Sequence, residues 1–371
     1  MNKINVSILG VTGSIGRQTV DVIKNLPDVN ICAIAAGTDR KGLEEISQIV
    51  RPKRAVLFAD EGMDGLIECA CMPEADIIVN AVVGSVGLKP TLAAIAAKKH
   101  VALANKETLV AAGSLVMQAA KQNGVDIRPI DSEHSAIWQC LHGQVVSDTN
   151  HLTSSVKRLI LTASGGAFRN WEKSKIQKAT PNDALQHPNW SMGAKITVDS
   201  ATMMNKGLEY IEAHHLFNMP YKKIDILIHP QSVIHSMVEF EDGAVLAQMG
   251  MPDMGQPIQY ALTVPRHLPK SHTPLDFLQL KTLNFEAPDY DRFPCLRLAM
   301  DAAQIGGTMP AMMNTANEIL VSQFLEGAIG FYDISRLIEE AMGAYTVKPL
   351  LSLDDVEEAE VFATNFLKRR N

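Results

Sequence analysis

The chain opens with a predicted strand, a glycine-rich turn, a helix and a second strand, and this order constrains the fold more than any other feature. The first strand covers 4–9, the turn 10–16, the helix 17–25 and the second strand 29–36. Such a βαβ unit binds a dinucleotide when glycines let the backbone approach the phosphates at the helix N-terminus. The glycines stand at 10, 13 and 16 rather than in GxGxxG spacing, so a tight turn that binds nothing is the alternative.

Strand-like and helix-like segments keep alternating through the first third of the chain, which predicts a parallel sheet flanked by helices. The apolar run 75–83 is typical of a parallel strand that is buried on both faces. Two polar motifs, 105–107 and 131–133, directly follow the predicted strands 101–104 and 125–130. Ligands of such sheets bind beyond the carboxyl ends of the strands, so we expect both motifs at the same edge as the glycine turn.

The sequence changes character in its middle third, where short alternating strands replace the longer apolar runs. This pattern is typical of an antiparallel-rich α+β domain. The predicted strands are 157–163, 224–228, 232–240 and 244–249, the last two forming a hairpin. Helical patterns return near the C-terminal end, and the predicted helices are 295–305, 315–325, 332–342 and 353–368.

These patterns predict an α/β protein with several domains, as expected for a chain of 371 residues. The N-terminal domain, 1–131, is a Rossmann-like parallel sheet, and the central domain, 132–264, is an α+β domain that carries most of the candidate catalytic residues. A proline-studded linker over 265–294 leads to a small C-terminal helical domain, 295–371.

Composition excludes several classes of protein. The formal net charge of −7 argues against a nucleic-acid-binding or acidic-membrane surface, because such partners reward a basic face. Five cysteines without a CxxC pair argue against a disulfide framework or a structural zinc site. The sequence shows no signal-peptide pattern and no apolar run of about 18 residues that would span a membrane. We therefore expect a cytoplasmic protein that binds neither nucleic acid nor membrane.

Three carboxylates, Asp131, Glu133 and Glu209, are candidate ligands of one divalent metal ion. Asp131 and Glu133 stand two residues apart just after a strand, and in an extended chain such side chains project to the same side. Oxygen ligands suit Mg²⁺ or Mn²⁺ better than zinc, which favours nitrogen and sulfur. The alternative is that Asp131 caps the following helix and Glu209 is a solvated surface charge.

A predicted helix over 201–217 carries Glu209, with Asp199 or Ser200 as its N-cap and Asn205 on the same face at i and i+4. Hydroxyl, amide and cationic donors crowd this part of the sequence, and together they suit a phosphate monoester. These donors are Ser164, His187, Ser200, Asn205 and Lys206. Taken singly, each is also explained by a loop, a turn cap or a surface ion pair.

The polar segment 168–195 has little periodicity, and a long irregular loop in a compact domain is usually disordered or a lid. Trp190 and Met192 would give such a lid an apolar underside that closes over a ligand and excludes water. Packing of Trp190 in the core is the alternative.

The combined motifs closely resemble those of the 1-deoxy-D-xylulose 5-phosphate reductoisomerase family, over nearly the whole chain. The matching motifs are Gly13-Ser-Ile-Gly16, Leu103-Ala-Asn-Lys-Glu107, Asp131-Ser-Glu-His134, Ser164-Gly-Gly166, His187-Pro-Asn-Trp-Ser-Met-Gly193, Met203-Met-Asn-Lys-Gly-Leu-Glu209, Pro252-Asp-Met254 and Asn314-Thr-Ala-Asn-Glu318. The resemblance implies an enzyme that makes 2-C-methyl-D-erythritol 4-phosphate in the non-mevalonate isoprenoid pathway. It also implies that 1–131 binds NADPH, that 132–264 binds the metal and a sugar-phosphate substrate, and that the central domain forms a homodimer.

Carried over residue by residue, the resemblance assigns three sets of ligands. NADPH would contact Thr12, Gly13, Ser14, Ile15, Gly37, Asn105, Glu107 and Gly193. The metal, Mn²⁺ or Mg²⁺ with Co²⁺ as a further option, would bind Asp131, Glu133 and Glu209. The substrate would contact Lys106, Ser132, Glu133, Ser164, His187, Ser200, Asn205, Lys206 and Glu209, with Ser164, Ser200, Asn205 and Lys206 on its phosphate. The implied catalytic residues are Lys106, Glu133 and His187.

The implied reaction has two steps, a metal-promoted rearrangement of the ketose phosphate to a branched aldehyde phosphate and a reduction of that aldehyde by NADPH. Lys106 and Glu133 are the candidates for proton transfer. Two other hypotheses stay open at the level of sequence. A simple NAD(P)-dependent dehydrogenase of a phosphorylated aldehyde or ketone would turn over without metal, and a cofactor-binding sensor or scaffold would bind without turnover.

The chain departs from the family pattern in two places. After Gly37 it has Thr38, Asp39 and Arg40, where family members often have Lys and Asn. Asp39 can bind a ribose 2′-hydroxyl, whereas Arg40 can bind a 2′-phosphate, so the sequence favours NADPH and leaves NADH use open. The segment 59–73 is shorter than is usual in the family, which predicts a trimmed helix and edge strand at the outer side of the nucleotide sheet.

Overall fold

A computed structural model describes residues 3–142, 155–190, 192–269 and 274–370. Within it the chain divides into two compact units. Unit 1 comprises Met1–Thr108, Val116–Trp138 and Asp253–Thr273, and unit 2 comprises Leu109–Leu115, Gln139–Pro252 and Pro274–Asn371. The domain boundaries given above stay a prediction.

Six parallel strands form the sheet of unit 1. They are β1 (Ile4–Leu9), β2 (Val29–Ala36), β3 (Arg54–Leu57), β4 (Ile77–Asn80), β5 (His100–Leu103) and β6 (Ile127–Pro129). Their order in the sheet is β3-β2-β1-β4-β5-β6, and every neighbouring pair runs parallel. This is the doubly wound order of Rossmann folds, so the predicted fold class is confirmed for this part of the chain. The carboxyl ends of all six strands lie at one edge of the sheet.

Five helices connect these strands, and a sixth follows β6. They are α1 (Ser14–Ile23), α2 (Arg40–Val50), α3 (Phe58–Ala70), α4 (Leu88–Ala96), α5 (Glu107–Asn123) and α6 (Ser132–Leu141), with a short 3₁₀ turn at Ser85–Gly87. The core of unit 1 forms around the apolar face of β1, where Val6 and Ile8 have no exposed surface. Residues of a later helix, 255–263, pack into the same core, where Ile258 and Ala261 are fully buried.

Four strands form the sheet of unit 2, namely β7 (Val156–Ala163), β8 (Ile224–Ile228), β9 (Ile234–Phe240) and β10 (Val245–Met249). Their order is β10-β9-β7-β8, antiparallel except for the parallel pair β7–β8. The predicted hairpin of β9 and β10 is confirmed. Strand β10 lies at one edge of the sheet.

The remaining helices belong to unit 2, apart from α11, which belongs to unit 1. They are α7 (Lys173–Ile176), α8 (Pro181–Ala184), α9 (Ala194–Ala201), α10 (Met204–Phe217), α11 (Gly255–Thr263), α12 (Phe277–Leu280), α13 (Pro294–Ile305), α14 (Met309–Leu325), α15 (Phe331–Ala344) and α16 (Leu353–Lys368), with a 3₁₀ turn at Tyr221–Lys223. Across the described ranges, no helix combines the length and the apolar character that crossing a membrane requires.

Two local predictions about the candidate site were wrong. Glu133 does not lie in extended chain, because α6 already begins at Ser132. The helix predicted over 201–217 is instead two helices, since α9 ends at Ala201 and Met203 adopts a left-handed conformation with φ of 63° before α10 begins. Asp199 and Ser200 therefore lie inside α9 and not at the N-terminus of the helix that carries Glu209.

Three further segments that were singled out from the sequence contain helices. The segment 168–195 contains α7, α8 and the start of α9, so it is not irregular throughout. The proline-studded stretch contains α12, and Glu286 pairs with the end of β8 through two backbone hydrogen bonds of 2.9 Å. The segment 59–73 folds mainly into α3, which is kinked at Gly62.

Candidate functional site

The glycine-rich turn joins β1 to α1 in a geometry that leaves a helix N-terminus open. A Cβ on Gly10 would lie 2.5 Å from the carbonyl oxygen of Ala81, and one on Gly16 would collide with the backbone of Gly10, so close packing explains these two glycines. Gly13 is exposed and forms the N-cap of α1, and within the described residues no side chain caps this helix. Its first turn also holds no acidic residue. The backbone N–H groups there suit a phosphate group, as the sequence predicts for Thr12 to Ile15.

Asn105, a predicted cofactor ligand, has its side chain fully used inside unit 1. Its amide donates to the carbonyl oxygens of Val82 and Gly84 at 2.8 and 2.7 Å, and its carbonyl accepts from the backbone N–H and the hydroxyl of Thr108. The residue therefore ties the loop after β4 to the start of α5. Any direct contact with a nucleotide would come from its backbone.

Asn80 shapes the same loop and was not singled out from the sequence. Its amide donates to the carbonyl oxygen of Gly87 at 3.0 Å and to the hydroxyl of Thr91 at 2.8 Å, and its carbonyl accepts from the N–H of Val82. The available signal was an amide at the end of an otherwise apolar, fully buried strand. Such a residue must find partners, and here they are loop backbone groups.

Lys106 and Asp131 form a buried ion pair at the carboxyl ends of β5 and β6. Their charged atoms lie 2.5 Å apart, and the side chains are only 7% and 12% exposed. Burial alone would raise the pKa of Asp131, but the Lys106 ammonium and the neighbouring His134 outweigh it and hold that pKa below its usual range. Asp131 is therefore ionised at neutral pH.

Glu133 lies beside this pair from the first turn of α6. Its carboxyl group is within hydrogen-bonding distance of Asp131, and its Oε2 accepts from the Ser132 hydroxyl at 2.6 Å. The backbone carbonyl of Asp131 accepts from the N–H of Ser135 at 2.8 Å, so Asp131 stands at the start of α6. Two carboxyl groups and one ammonium thus meet at the edge where the sheet is expected to bind ligands.

Within unit 2, the loop at 164–166 packs against the end of α9. Gly165 and Gly166 both have positive φ, 84° and 70°, and a Cβ on Gly166 would collide with the carbonyl oxygen of Ser200. The Ser164 hydroxyl accepts from the N–H of Gly166 at 3.1 Å. Because a side chain is excluded here, the predicted donors Ser164 and Ser200 are brought into one neighbourhood.

His187 completes this neighbourhood as a hydrogen-bond donor. Its Nδ1 accepts from the backbone N–H groups of Asn189 and Trp190 at 3.2 and 3.0 Å, so in the neutral ring the proton sits on Nε2. That nitrogen lies 2.9 Å from the Ser164 hydroxyl. Burial, together with the charge of Arg169, lowers the pKa of His187 to about 4, so the ring is neutral at physiological pH.

The start of α10 presents Asn205 and Lys206 close to Glu209. The Asn205 amide donates to one carboxylate oxygen of Glu209, and the Lys206 ammonium pairs with the other. Lys206 and Glu209 are almost completely buried, with 4% and 1% of their side chains exposed. The alternative of a solvated surface pair is therefore wrong. The Lys206 ammonium lies in the first turn of α10, and a helix N-terminus with a cation beside it favours an anionic ligand.

Two residues that the sequence did not single out hold this region together. Arg169 donates to the carbonyl oxygen of Ser164 at 2.7 Å. Asn317 on α14 donates to the buried carboxylate of Asp199 at 2.8 Å, and Lys195 pairs with the other oxygen of that carboxylate at 3.0 Å. Asn317 lies within the Asn314–Glu318 motif, but a distant amide gives no sequence signal for the partner that it meets.

Trp190 and Met192 are half-buried, so Trp190 is not a core residue. The Asn189 amide holds the segment by donating to the carbonyl oxygen of Pro230 at 2.8 Å and to the Ser232 hydroxyl at 2.9 Å. Gly193 follows as the N-cap of α9 in unit 2, whereas the other predicted cofactor residues belong to unit 1.

Comparison with known proteins places the chain in a family. It matches the family model described as 1-deoxy-D-xylulose 5-phosphate reductoisomerase at residues 6–63 and 57–113, and that of its C-terminal domain at 127–217. A further match, at 249–366, is to the DXP reductoisomerase C-terminal domain. The first model matches in two pieces that overlap at 57–63, and this overlap includes the start of the segment 59–73 that is predicted to be shortened.

Relatives and solved structures agree with these matches. A 1-deoxy-D-xylulose 5-phosphate reductoisomerase from Bacillus cereus (strain Q1) is 49% identical, covering 98% of both chains, and one from Heliobacterium modesticaldum is 48% identical, covering 98% of this chain and 97% of that one. The solved Zymomonas mobilis enzyme in complex with NADPH is 44% identical over 99% of both chains, with a TM-score of 0.89. A DOX-P reductoisomerase in complex with NADPH, fosmidomycin and magnesium is 40% identical over 98% of both chains, with a TM-score of 0.90. The chain therefore belongs to the 1-deoxy-D-xylulose 5-phosphate reductoisomerase family.

Proposed function

We propose that this chain converts 1-deoxy-D-xylulose 5-phosphate to 2-C-methyl-D-erythritol 4-phosphate by a metal-dependent isomerisation and an NADPH-dependent reduction. The observation that carries the proposal is the cluster of Lys106, Asp131 and Glu133 at the carboxyl ends of β5 and β6, in a chain that belongs to this family throughout. A simple dehydrogenase has no need of two adjoining carboxyl groups at its sheet edge.

The residues present fit a divalent metal ion. Oxygen atoms of Asp131 and Glu133 lie within 4.8 Å of each other, and hard oxygen ligands of this kind suit Mg²⁺, Mn²⁺ or Co²⁺. We assign the third ligand position to Glu209, a buried carboxylate of unit 2. When bound, the metal would polarise the ketone and its neighbouring hydroxyl, and NADPH would supply the hydride.

The residues of unit 1 also fit the cofactor. The open N-terminus of α1, entered through Thr12, Gly13, Ser14 and Ile15, would receive the pyrophosphate. Gly37 follows β2, where an adenosine ribose is expected, and Asn105 and Glu107 follow β5. We also assign Gly193 of unit 2 to the cofactor.

The substrate phosphate would be held by Ser164, Ser200, Asn205 and Lys206, with His187 donating from Nε2. A neutral imidazole with its proton fixed on Nε2 orients an anion without taking its proton, so His187 positions the substrate and does not act as a base. Binding energy from the phosphate, which does not react, serves to orient the reacting end.

Lys106, Glu133 and Ser132 would face the reacting carbons. The Lys106 ammonium carries a proton beside two carboxyl groups, so it can donate to an oxygen that gains negative charge. Glu133 accepts a hydrogen bond from Ser132 and can receive a proton from a substrate hydroxyl. Trp190 and Met192 would exclude water from the reduction step.

We further infer that the protein acts in the cytoplasm as a homodimer. The exposed edge strand β10 supports a dimer through the unit 2 sheet, because Val245 and Leu246 are 49% and 40% exposed on an edge that has no strand partner among the described residues. Sedimentation analysis of the purified protein would contradict the dimer if it showed only monomer at micromolar concentration.

Loss of NADPH absorbance in the presence of 1-deoxy-D-xylulose 5-phosphate tests the function. We expect oxidation with Mg²⁺ or Mn²⁺, none with EDTA, and a branched polyol phosphate as product. Glu209→Gln should lose metal-dependent turnover while its circular dichroism and NADPH binding persist, and Glu326→Gln on the surface serves as the control. Turnover in EDTA, or full activity of Glu209→Gln, would contradict the proposal.

A further inference from the structure

Asp39 lies just beyond β2, where a carboxylate in a Rossmann fold favours NADH over NADPH. Both of its carboxylate oxygens, however, already have partners within the protein. In Rossmann folds an acidic residue at this position, just beyond β2, accepts from the ribose 2′-hydroxyl. Here one oxygen of Asp39 accepts from the N–H of Gly42 at 2.9 Å and caps α2, while the other lies 3.3 Å from the guanidinium of Arg17. The carboxylate is therefore a helix cap with a cationic partner.

Arg17 joins the two parts of the expected adenosine site. Its Nε donates to the carbonyl oxygen of Thr12 in the glycine-rich turn at 3.0 Å, and its Nη2 reaches Asp39 beyond β2. A Cβ on Gly42 would collide with Asp39 and lie 2.7 Å from Arg17, so this pairing needs a glycine there. About half of the Arg17 side chain remains exposed, which leaves donors for a ligand.

A second guanidinium follows β2. Arg40 is the first residue of α2, and it donates to both carboxylate oxygens of Asp60 at 2.8 Å. Asp60 lies in the first turn of α3, and Ala59 donates its N–H to the carbonyl oxygen of Gly37 at 3.1 Å, which fastens α3 to the end of β2. The Arg40 side chain is 60% exposed.

We propose that Arg17 and Arg40 bind the 2′-phosphate of NADPH, and that Asp39 is a positioning residue for Arg17 rather than a ligand of the ribose. This inference rests on the proposed use of a nicotinamide dinucleotide. Two planar guanidinium groups match the geometry of a phosphate dianion. Their carboxylate partners, Asp39 and Asp60, hold them in position before the phosphate binds. The chain then selects NADPH although an acidic residue follows β2.

Nucleotide fragments test this site without any turnover. Isothermal titration calorimetry would compare 2′,5′-ADP with 5′-AMP, which differ only in the 2′-phosphate. We expect the wild-type protein to bind 2′,5′-ADP at least about tenfold more tightly. Arg17→Met and Arg40→Met should each weaken 2′,5′-ADP by about tenfold or more, the effect of losing one charge-assisted hydrogen bond, and leave 5′-AMP unchanged.

Two further variants separate the proposed roles. Asp39→Asn keeps a side chain that caps helices, so 5′-AMP binding should not change, whereas a direct ribose ligand would lose affinity. Lys41→Met removes an 88%-exposed cation of the same helix and should change neither affinity by more than about twofold.

The contrary outcomes are distinct. Equal binding of both fragments to the wild-type protein would overturn the 2′-phosphate site, and so would an Arg17→Met variant that weakened both fragments equally, since that would reveal a purely structural role at Thr12. Binding of neither fragment would instead overturn the assignment of NADPH to this protein, and with it the proposed function.

Discussion

Replacing Lys206 by Met probes the buried ion pair at the proposed phosphate site. Lys206 and Glu209 are 4% and 1% exposed, so the substitution strips a buried carboxylate of its cationic partner. Removing one member of a buried pair destabilises a protein by about 3–5 kcal/mol. We expect the free energy of unfolding of the metal-free protein to fall by about that amount. The exposed pair of Lys348 with Glu358 is the control, and Lys348→Met should lose no more than about 1 kcal/mol.

Chemical denaturation of Lys206→Met, Glu209→Gln and the double variant completes the test. Both single variants break the same pair, so their effects should not add, and the interaction free energy from the cycle should be about 1–3 kcal/mol. Turnover should stay lost in the double variant, because it restores neither the proposed phosphate-binding cation nor the proposed metal ligand. Additive destabilisation would refute the view that these two groups form one buried unit.

Two further predictions concern stability and substrate binding. Burial lowers the pKa of both His187 and His235 to about 4, so the unfolded chain takes up protons first as the pH falls below about 6.5. The melting temperature should therefore drop between about pH 6.5 and 4, and a flat profile would contradict the neutral assignment. Gly166→Ala adds a Cβ to a residue with φ of 70°, against the carbonyl oxygen of Ser200. The substitution should lower the free energy of unfolding by about 1–2 kcal/mol or more, and it should raise the KM for the phosphorylated substrate. Gly243→Ala, with φ of 86° and open space around it, shares the backbone strain and should leave KM unchanged.

The sequence predicted the parts of the fold that periodicity determines. Continuous apolar runs identified the buried parallel strands, and glycine spacing identified the turn between β1 and α1. The break between α9 and α10 escaped prediction because Met203 takes a left-handed conformation that methionine rarely adopts. The Thr202 hydroxyl, which accepts from the N–H of Met204, supports that break only once the chain has folded.

Side-chain roles depended on partners that lie far away in the sequence. The sequence left open whether Asp39 or Arg40 meets the cofactor ribose, and the pairing of Asp39 with Arg17 could not be seen from either residue alone. The proton position on His187 likewise depends on two backbone N–H groups, which are not visible until the turn at 187–190 has formed.

The hydrogen bond between Asn317 and Asp199 links the C-terminal helices to the proposed phosphate site. Asp199 immediately precedes the proposed phosphate ligand Ser200, so a tilt or loosening of α14 would disturb a hydrogen bond next to that residue. A small molecule that wedges between the C-terminal helices would lower substrate affinity without resembling the substrate. Substitutions that confer resistance to it would arise on those helices and would spare the catalytic residues.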